Sequence, residues 1–187
     1  LIIKSINGSH RRTDRERVRR AASRVSGVVL MEEHLPIAEL DALVQHAVGF
    51  VSLHRSEGLG LGLLEAMAAG TPTIATAYSG NMDFMSEWNS LLVPYTLETV
   101  SSESGYYAGL GRWAEPDLDT AASHMQRLAG NPGFARSLGE HAQREVLTQR
   151  SPERAAAFVL SRVGAAMSAR EAQSRAGRGR LFRSHAD

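Results

Sequence analysis

The sequence of 187 residues contains no cysteine, and Lys4 is the only lysine among its 21 basic residues. The absence of cysteine excludes disulfide bridges and cysteine-based zinc sites, and it fits a reducing compartment. No apolar run approaches the ~20 residues of a membrane-spanning helix. The formal net charge of +1 gives no general attraction for nucleic acid or anionic lipid. We therefore expect a cytoplasmic protein that does not bind nucleic acid, with a peripheral contact at the inner face of the membrane left open.

The first half of the chain alternates between apolar segments of strand length and segments with helical periodicity. Strands are predicted at residues 1–5, 28–31, 48–53, 73–76 and 91–93, and helices at residues 13–24, 36–46, 61–69 and 82–86. The strands are continuously apolar, which is typical of a parallel sheet that is covered on both faces. The predicted fold class is therefore α/β, with a Rossmann-like parallel sheet and helices on both of its faces.

The pattern changes after residue 100. Residues 101–112 are rich in Gly, Ser and Tyr and predict a loop, and C-terminal helices are predicted at 118–129, at 134–149 and from 152 onward. We expect one domain over residues 1–169, with its first strand missing, followed by a disordered arginine-rich tail at 170–187. Because the chain opens inside a predicted strand and does not begin with Met, we expect it to be a piece of a longer protein.

A glycine-rich turn between residues 53 and 61 joins the third predicted strand to the following helix. In a doubly wound sheet, ligands bind beyond the carboxyl ends of the strands, where this turn is predicted to lie. Its glycines allow a ligand to approach the backbone closely, and the free N–H groups at the start of the helix attract an anion. Each hydrogen bond from such an N–H to a charged acceptor contributes roughly 1.5–3 kcal/mol.

Two glutamates, Glu57 and Glu65, bracket this turn. A carboxylate ~6 Å from a phosphate, at an effective dielectric constant of ~20, repels it by roughly 3 kcal/mol. That repulsion would cancel one good amide contact, so we expect both carboxylates to face hydroxyl groups instead. A ligand with hydroxyls at both ends and phosphate in the middle has the shape of a nucleoside diphosphate sugar.

Several segments around the turn carry a resemblance to a known family. These segments are residues 50–61, 64–76, 78–85, 89–93 and 113–117. They resemble the donor-binding domain of the family-four retaining glycosyltransferases, including its signature of two glutamates separated by seven residues. The last segment is similar to members that transfer mannose or rhamnose. The resemblance extends over roughly residues 1 to 165.

This resemblance implies a GT-B fold, in which two Rossmann-like domains enclose the active site, and a role in polysaccharide biosynthesis. The implied reaction transfers a hexose from a nucleotide sugar to an acceptor hydroxyl with retention of configuration, without a metal or another cofactor. By the same resemblance, Glu57 is the catalytic residue and contacts hydroxyls of the donor sugar, and Glu65 contacts the ribose. The other implied donor-binding positions are Gly58, Leu59, Gly60 and Leu61.

The sequence departs from the family pattern at Leu59, where the family usually has Phe, and at Gly62, inside the first turn of the helix. The N-terminal acceptor-binding domain is absent from this chain, as is a strand and loop that carry an Arg and a Lys for the diphosphate. We therefore expect that these 187 residues bind donor weakly or not at all and do not turn over by themselves.

Three basic residues end predicted strands and are further candidates for substrate binding: Lys4, His54 and Arg55. For each of them, an ordinary surface or strand-closing position is the alternative. Asn81 is predicted to cap a short helix rather than to contact sugar. By the resemblance, Glu32, Glu33 and His34, which follow the second strand, are expected near the nucleobase, with contacts through their backbone.

Two other functions stay open at this point. The chain could be a truncated or stand-alone nucleotide-binding module without transfer activity. It could also come from a GT-B epimerase or phosphorylase, but a phosphorylase requires a lysine for pyridoxal phosphate, and Lys4 is a poor candidate because it ends a strand.

Overall fold

A computed structural model describes residues 1–6, 8, 11–102, 107–109 and 111–183. The chain divides into two compact units, Leu1–Leu43 and Val44–Asp187. The assignment of residues 1–169 to one nucleotide-sugar-binding domain stays a prediction.

The first unit contains strand β1 (Ile2–Lys4), helix α1 (Arg12–Ser23), strand β2 (Val29–Met31) and most of helix α2 (Ile37–Gln45). The two strands pair in parallel, with Ile2 opposite Val29. All four elements are confirmed within one or two residues. Each strand corresponds to a short apolar run, and each helix corresponds to a segment with helical periodicity.

A cluster of ion pairs joins α1 to the end of β2. Glu32 accepts hydrogen bonds from Arg15 Nε at 2.6 Å and from Arg19 Nε at 2.8 Å. These bonds, from Arg15 first and Arg19 second, lower the pKa of the Glu32 carboxyl below its ordinary value of 4.5. Because its pKa is lower in the folded protein, Glu32 contributes stability above its unfolded pKa and loses it as the pH falls through its folded pKa.

The substitution Glu32→Gln is therefore expected to lower the thermal midpoint of the first unit at pH 7 and to have a much smaller effect near pH 3. Circular dichroism melts at the two pH values measure this difference. Glu33→Gln is the matched control, since the Glu33 carboxylate makes none of the described ion pairs. An equal loss at both pH values would contradict the ionic origin of the effect.

The second unit is built on a three-stranded parallel sheet. Its strands are β3 (Phe50–Ser52), β4 (Thr73–Thr76) and β5 (Leu91–Val93), and they lie in that order. Helix α3 (Leu61–Ala68) connects β3 to β4, and a 3-10 turn (Gly80–Asp83) follows β4. The strands and α3 are confirmed, whereas the short helix predicted at 82–86 is replaced by this earlier turn.

Helices cover both faces of this sheet. They are α3, α4 (Leu118–Gly130) and α5 (Pro132–Gln149). Alternate residues of β4 face opposite sides, so Ala75 belongs to a core with Leu63 and Met67 of α3, and Ile74 belongs to a second core with residues of α4 and α5. The predicted α/β class with parallel strands between helices is confirmed.

Two strands that pair as a β-hairpin flank the region where a loop was predicted. Strands β6 (Tyr95–Thr99) and β7 (Arg112–Pro116) pair antiparallel. The prediction of a loop over residues 101–112 is wrong at its last residue, Arg112, and the hairpin as a whole was missed. Hairpin signals rest on short turns, and these strands are separated by twelve residues rich in Gly and Ser.

Helix α6 (Pro152–Arg183) continues into the predicted tail. The expectation of a disordered segment from residue 170 is therefore corrected for residues 170–183, and the last four residues lie outside the described part of the chain. Arg is the commonest residue of 170–183, and together with Ala172, Ala176 and Leu181 it favours helix over coil.

Helices α3 and α5 approach closely at two glycines. Gly70 ends the α3 segment with φ +82°, and a Cβ placed at Gly139 of α5 would overlap the Gly70 carbonyl oxygen. Gln143, one turn further along α5, donates a hydrogen bond to the carbonyl of Ala68 at 2.9 Å. Only glycine at position 139 leaves room for this contact.

We expect Gly139→Ala to lower the free energy of unfolding by about 1–3 kcal/mol, because the added methyl group must push the two helices apart. Urea titration followed by circular dichroism measures the change. Gly133→Ala is the matched control on the same helix, where the new Cβ would lie 3.7 Å from Asn131 Oδ1 in ordinary contact. Similar stability of the two variants would show that the close approach is not a constraint.

Candidate functional site

Two loops meet at the carboxyl ends of strands β3 and β4. The first is the β3 loop (residues 53–60) and the second is the β4 loop (residues 77–83). The N–H of Glu57 donates to Ser79 Oγ at 2.8 Å, and the N–H of Gly80 donates to the carbonyl of Glu57 at 3.2 Å. A Cβ at Gly80 would overlap the carbonyl oxygen of Gly58, so the two backbones touch. Ser79 itself has φ +73°, a conformation that non-glycine residues rarely adopt.

His54 connects the same two loops through its side chain. Its Nε2 lies 3.0 Å from the carbonyl oxygen of Tyr78 and 3.1 Å from Asn81 Oδ1, and its Nδ1 lies 3.1 Å from Ser52 Oγ. Because both partners of Nε2 are carbonyl-type oxygens, we assign the hydrogen to Nε2. In the neutral ring, Nδ1 then accepts from the Ser52 hydroxyl. These contacts use both ring nitrogens within the protein.

Asn81, a residue of the β4 loop, is completely buried. Its Nδ2 donates to the carbonyl of Thr76 at 3.0 Å, and Met85 Sδ lies 3.5 Å away. Its Oδ1 faces His54. The predicted helix-capping role is wrong, because Asn81 lies inside the 3-10 turn and its side chain bonds back to β4 instead of to the following N–H groups.

The N-terminus of α3 presents N–H groups to the space in front of the β3 loop. Gly60 precedes the helix with φ +86°, and no side chain caps it. The first bond back along the chain runs from Leu64 N to the carbonyl of Gly60 at 2.9 Å. The N–H groups of Leu61, Gly62 and Leu63 come before that bond and have no acceptor in the described part of the chain. Such a terminus favours a bound anion.

The two glutamates differ in how they are held. Glu57 is half-buried, and its Oε1 accepts the N–H of Gly58 at 2.9 Å. Glu65 is exposed one turn inside α3, on the same face as Leu61, and no described hydrogen bond or ion pair involves its carboxylate. Glu57 is therefore fixed in the loop, while both oxygens of Glu65 are available to hydroxyl groups.

Arg55 is engaged by the β6–β7 hairpin. Its NH2 lies 2.6 Å from Glu115 Oε2, and its guanidinium carbon lies 4.7 Å from the centre of the Trp113 ring. Its carbonyl accepts the N–H of Ala114 at 2.9 Å. The side chain, predicted to bind substrate, thus has partners within the protein.

The remaining sequence candidates lie in the first unit. Lys4 Nζ donates to the carbonyl of Glu33 at 2.5 Å, and Glu32 is held by Arg15 and Arg19. In the described residues, the structure brings together His54, Arg55, Glu57, Gly58, Leu59, Gly60, Leu61 and Glu65 around one loop and one helix terminus. Lys4 is in the other unit, and its assignment to the site stays a prediction.

No group of three or more His, Asp and Glu side chains in the described ranges is placed to hold a metal ion. No described helix has the length and apolar content to cross a membrane.

The family of the chain follows from its sequence match. The model of the family described as glycosyl transferases group 1 matches residues 6–101, which is just over half of the chain. This chain belongs to the group 1 glycosyltransferases. The matched range includes the β3 loop, α3 and the β4 loop. No curated protein matches the chain.

Solved structures support the fold. A sucrose-phosphate synthase from Thermosynechococcus elongatus is similar with a TM-score of 0.66 and 23% identity, over 90% of this chain and 38% of its own. A chain of the GtfA/B complex is similar with a TM-score of 0.53 and 21% identity, over 79% of this chain and 26% of its own. This glycosyltransferase chain therefore spans less than two fifths of the length of either structure.

Sequence reasoning did not predict the residues that contact the candidate site residues and position them. They are Ser52, Tyr78, Ser79, Trp113 and Glu115, and the role of Asn81 was predicted wrongly. Gly80 offered one signal, because a glycine in the loop after a short apolar strand leaves room for the close approach of another chain segment. Ser52 lies two positions from its partner His54. Tyr78, Ser79, Trp113 and Glu115 act on partners that lie 22 to 60 positions away, and no local pattern reveals such pairs.

Replacing Asn81 tests the buried network. Asn81→Ala removes the Nδ2 hydrogen bond to the Thr76 carbonyl, which keeps the Tyr78 N–H, and one of the two acceptors of His54 Nε2. We expect the loss of these buried bonds to cost about 1–3 kcal/mol of unfolding free energy. Asp83→Ala, an exposed neighbour in the same turn, is expected to stay within about 0.5 kcal/mol of the wild type. Chemical denaturation measures both, and equal effects would mean that the network is not stabilising.

Proposed function

We propose that the chain forms the donor-binding half of a retaining glycosyltransferase that transfers a hexose from a nucleoside diphosphate sugar to an acceptor hydroxyl. The observation that carries this proposal is the uncapped N-terminus of α3, lying between a fixed carboxylate at Glu57 and an unpaired one at Glu65. An anion fits the helix terminus, and hydroxyl groups fit the carboxylates. Mannose and rhamnose are the proposed sugars, on the strength of residues 113–117.

In this proposal the diphosphate lies against the N–H groups of Leu61 and Gly62, which offset the negative charge that develops as the glycosidic bond breaks. Glu57 accepts hydrogen bonds from the donor sugar, and Glu65 accepts them from the ribose. Gly58 takes part through its hold on Glu57, and Leu59 through its backbone. Further cations for the diphosphate would come from segments outside this chain.

The reaction is proposed to need no metal or other cofactor. We propose a cytoplasmic location, which the absence of cysteine supports.

The transfer itself is tested with the full-length protein and a panel of UDP-glucose, GDP-mannose and dTDP-rhamnose. We expect one donor to be consumed in the presence of a glycan acceptor, with the anomeric configuration kept in the NMR spectrum of the product and with the rate unchanged by EDTA. An inverted product, or no transfer from any nucleotide sugar, would refute the proposal. The 187 residues alone are expected to be inactive, and turnover by them would contradict the need for a second domain.

The role of Glu65 has its own test. If its carboxylate binds the ribose, the wild type should prefer the ribonucleoside diphosphate over the 2′-deoxy form, and Glu65→Ala should abolish that preference. A hydrogen bond to a charged group of roughly 1.5–3 kcal/mol corresponds to about a ten- to hundredfold preference. Isothermal titration of the full-length protein measures it, with Glu140→Gln on the exposed face of α5 as the control. An unchanged preference in Glu65→Ala would show that the carboxylate does not bind the ribose.

A further inference from the structure

We propose that Arg55 is a positioning residue and not a ligand of the diphosphate, and that the β6–β7 hairpin acts through it to hold Glu57 in place for the donor sugar. This inference rests on the proposed function, in which Glu57 contacts sugar hydroxyls. It assigns a role to the hairpin, whose strands the sequence did not predict.

Three consecutive residues of β7 hold Arg55. The Trp113 ring lies under its guanidinium, with 4.7 Å between the guanidinium carbon and the ring centre. The N–H of Ala114 binds its carbonyl at 2.9 Å, and Glu115 Oε2 lies 2.6 Å from its NH2. Strand β7 therefore contacts both the backbone and the side chain of Arg55, the third residue of the β3 loop.

The charge of Arg55 is already matched. The nearby carboxylate of Glu115 matches the charge of this guanidinium, and the Trp113 indole covers its flat face, while the side chain stays 48% exposed. A phosphate group would have to displace Glu115 or accept its repulsion. The Arg55 guanidinium is therefore engaged by groups of the protein, and the N–H groups at the start of α3 bind the diphosphate of the donor.

The hairpin also reaches the second loop. Tyr95 of β6 packs against Tyr78, with 5.0 Å between the ring centres and 59° between the ring planes. Tyr78 precedes Ser79, whose hydroxyl accepts the N–H of Glu57. Glu57 thus lies between two points that the hairpin contacts, one on the β3 loop at Arg55 and one on the β4 loop at Tyr78.

This arrangement predicts a specific binding phenotype. Loosening the hairpin should displace Glu57, so the sugar portion of the donor should lose affinity while the nucleoside diphosphate portion keeps it. A direct phosphate contact by Arg55 predicts the reverse, because the free diphosphate would then bind more weakly too. The affinity gained on adding the sugar to the diphosphate separates the two roles.

The experiment is a double-mutant cycle on the full-length protein. The variants are Arg55→Gln, Glu115→Gln and the two combined, and Glu98→Gln on β6 is the matched control on the same hairpin. Isothermal titration is carried out with the best-binding nucleotide sugar of the panel above and with its free nucleoside diphosphate. Thermal melts confirm that each variant is folded, and Trp113→Phe, which keeps an aromatic face under Arg55, is expected to bind like the wild type.

Each single variant should weaken the nucleotide sugar by about tenfold, within the range of coupled contacting pairs, and the double variant should be no weaker than either single one. The free diphosphate should bind all variants within about twofold of wild type, because the helix terminus is intact. Weaker binding of the free diphosphate by Arg55→Gln, with additive effects in the double variant, would overturn the proposal. So would unchanged affinities in all variants.

A separate variant, Glu57→Gln, tests the proposed function itself. If Glu57→Gln leaves the sugar contribution unchanged, the proposed sugar contact of Glu57 is wrong. If Arg55→Gln and Glu115→Gln still lower that contribution together, the hairpin positions the loop, and the contact to the sugar is made by another residue of that loop.

Discussion

The site depends on one close contact, the approach of the Gly80 backbone to the carbonyl oxygen of Gly58. At this point the two loops that follow neighbouring parallel strands touch without any side chain between them. The distance is short enough for the Glu57 N–H to reach Ser79 and for His54 to reach Asn81. A larger residue at position 80 would separate the loops and break these bonds together, because they all cross the same boundary.

The polar and charged groups of the site differ in what they are available to bind. The anion-attracting groups are backbone N–H groups at the start of α3, which carry no full charge and need no counterion. The full charges nearby are used differently: Arg55 is neutralised by Glu115, and Glu57 is held by the Gly58 N–H. Glu65 is the charged group at this loop and helix that the described residues leave unpaired. This distribution avoids placing a carboxylate directly against a phosphate.

Much of the fold could be predicted because its signals are local. The strands around Val51 and Ile74 are short apolar runs, and the turn at Gly58 and Gly60 is marked by residue types that permit close approach and positive φ. The partners of Arg55 could not be predicted, since Glu115 lies sixty positions away and a salt bridge leaves no periodic trace in the sequence. The hairpin was missed for a related reason: β6 is exposed along its whole length and a long connection separates it from β7, so neither burial of β6 nor turn chemistry marks the pair. Asn81 was misjudged because a polar residue before a short helix usually caps it, and here burial under β4 outweighed that preference.

The placement of the two tryptophans has an optical consequence. Trp88 is 83% exposed at the amino end of β5, while Trp113 is partly buried beneath the guanidinium of Arg55. Their indoles therefore experience different fields and different access to water, so their emission should differ in wavelength and in accessibility to soluble quenchers. Trp113 is the fluorophore of the hairpin at its contact with Arg55, so the wavelength of its emission reports whether that contact is formed.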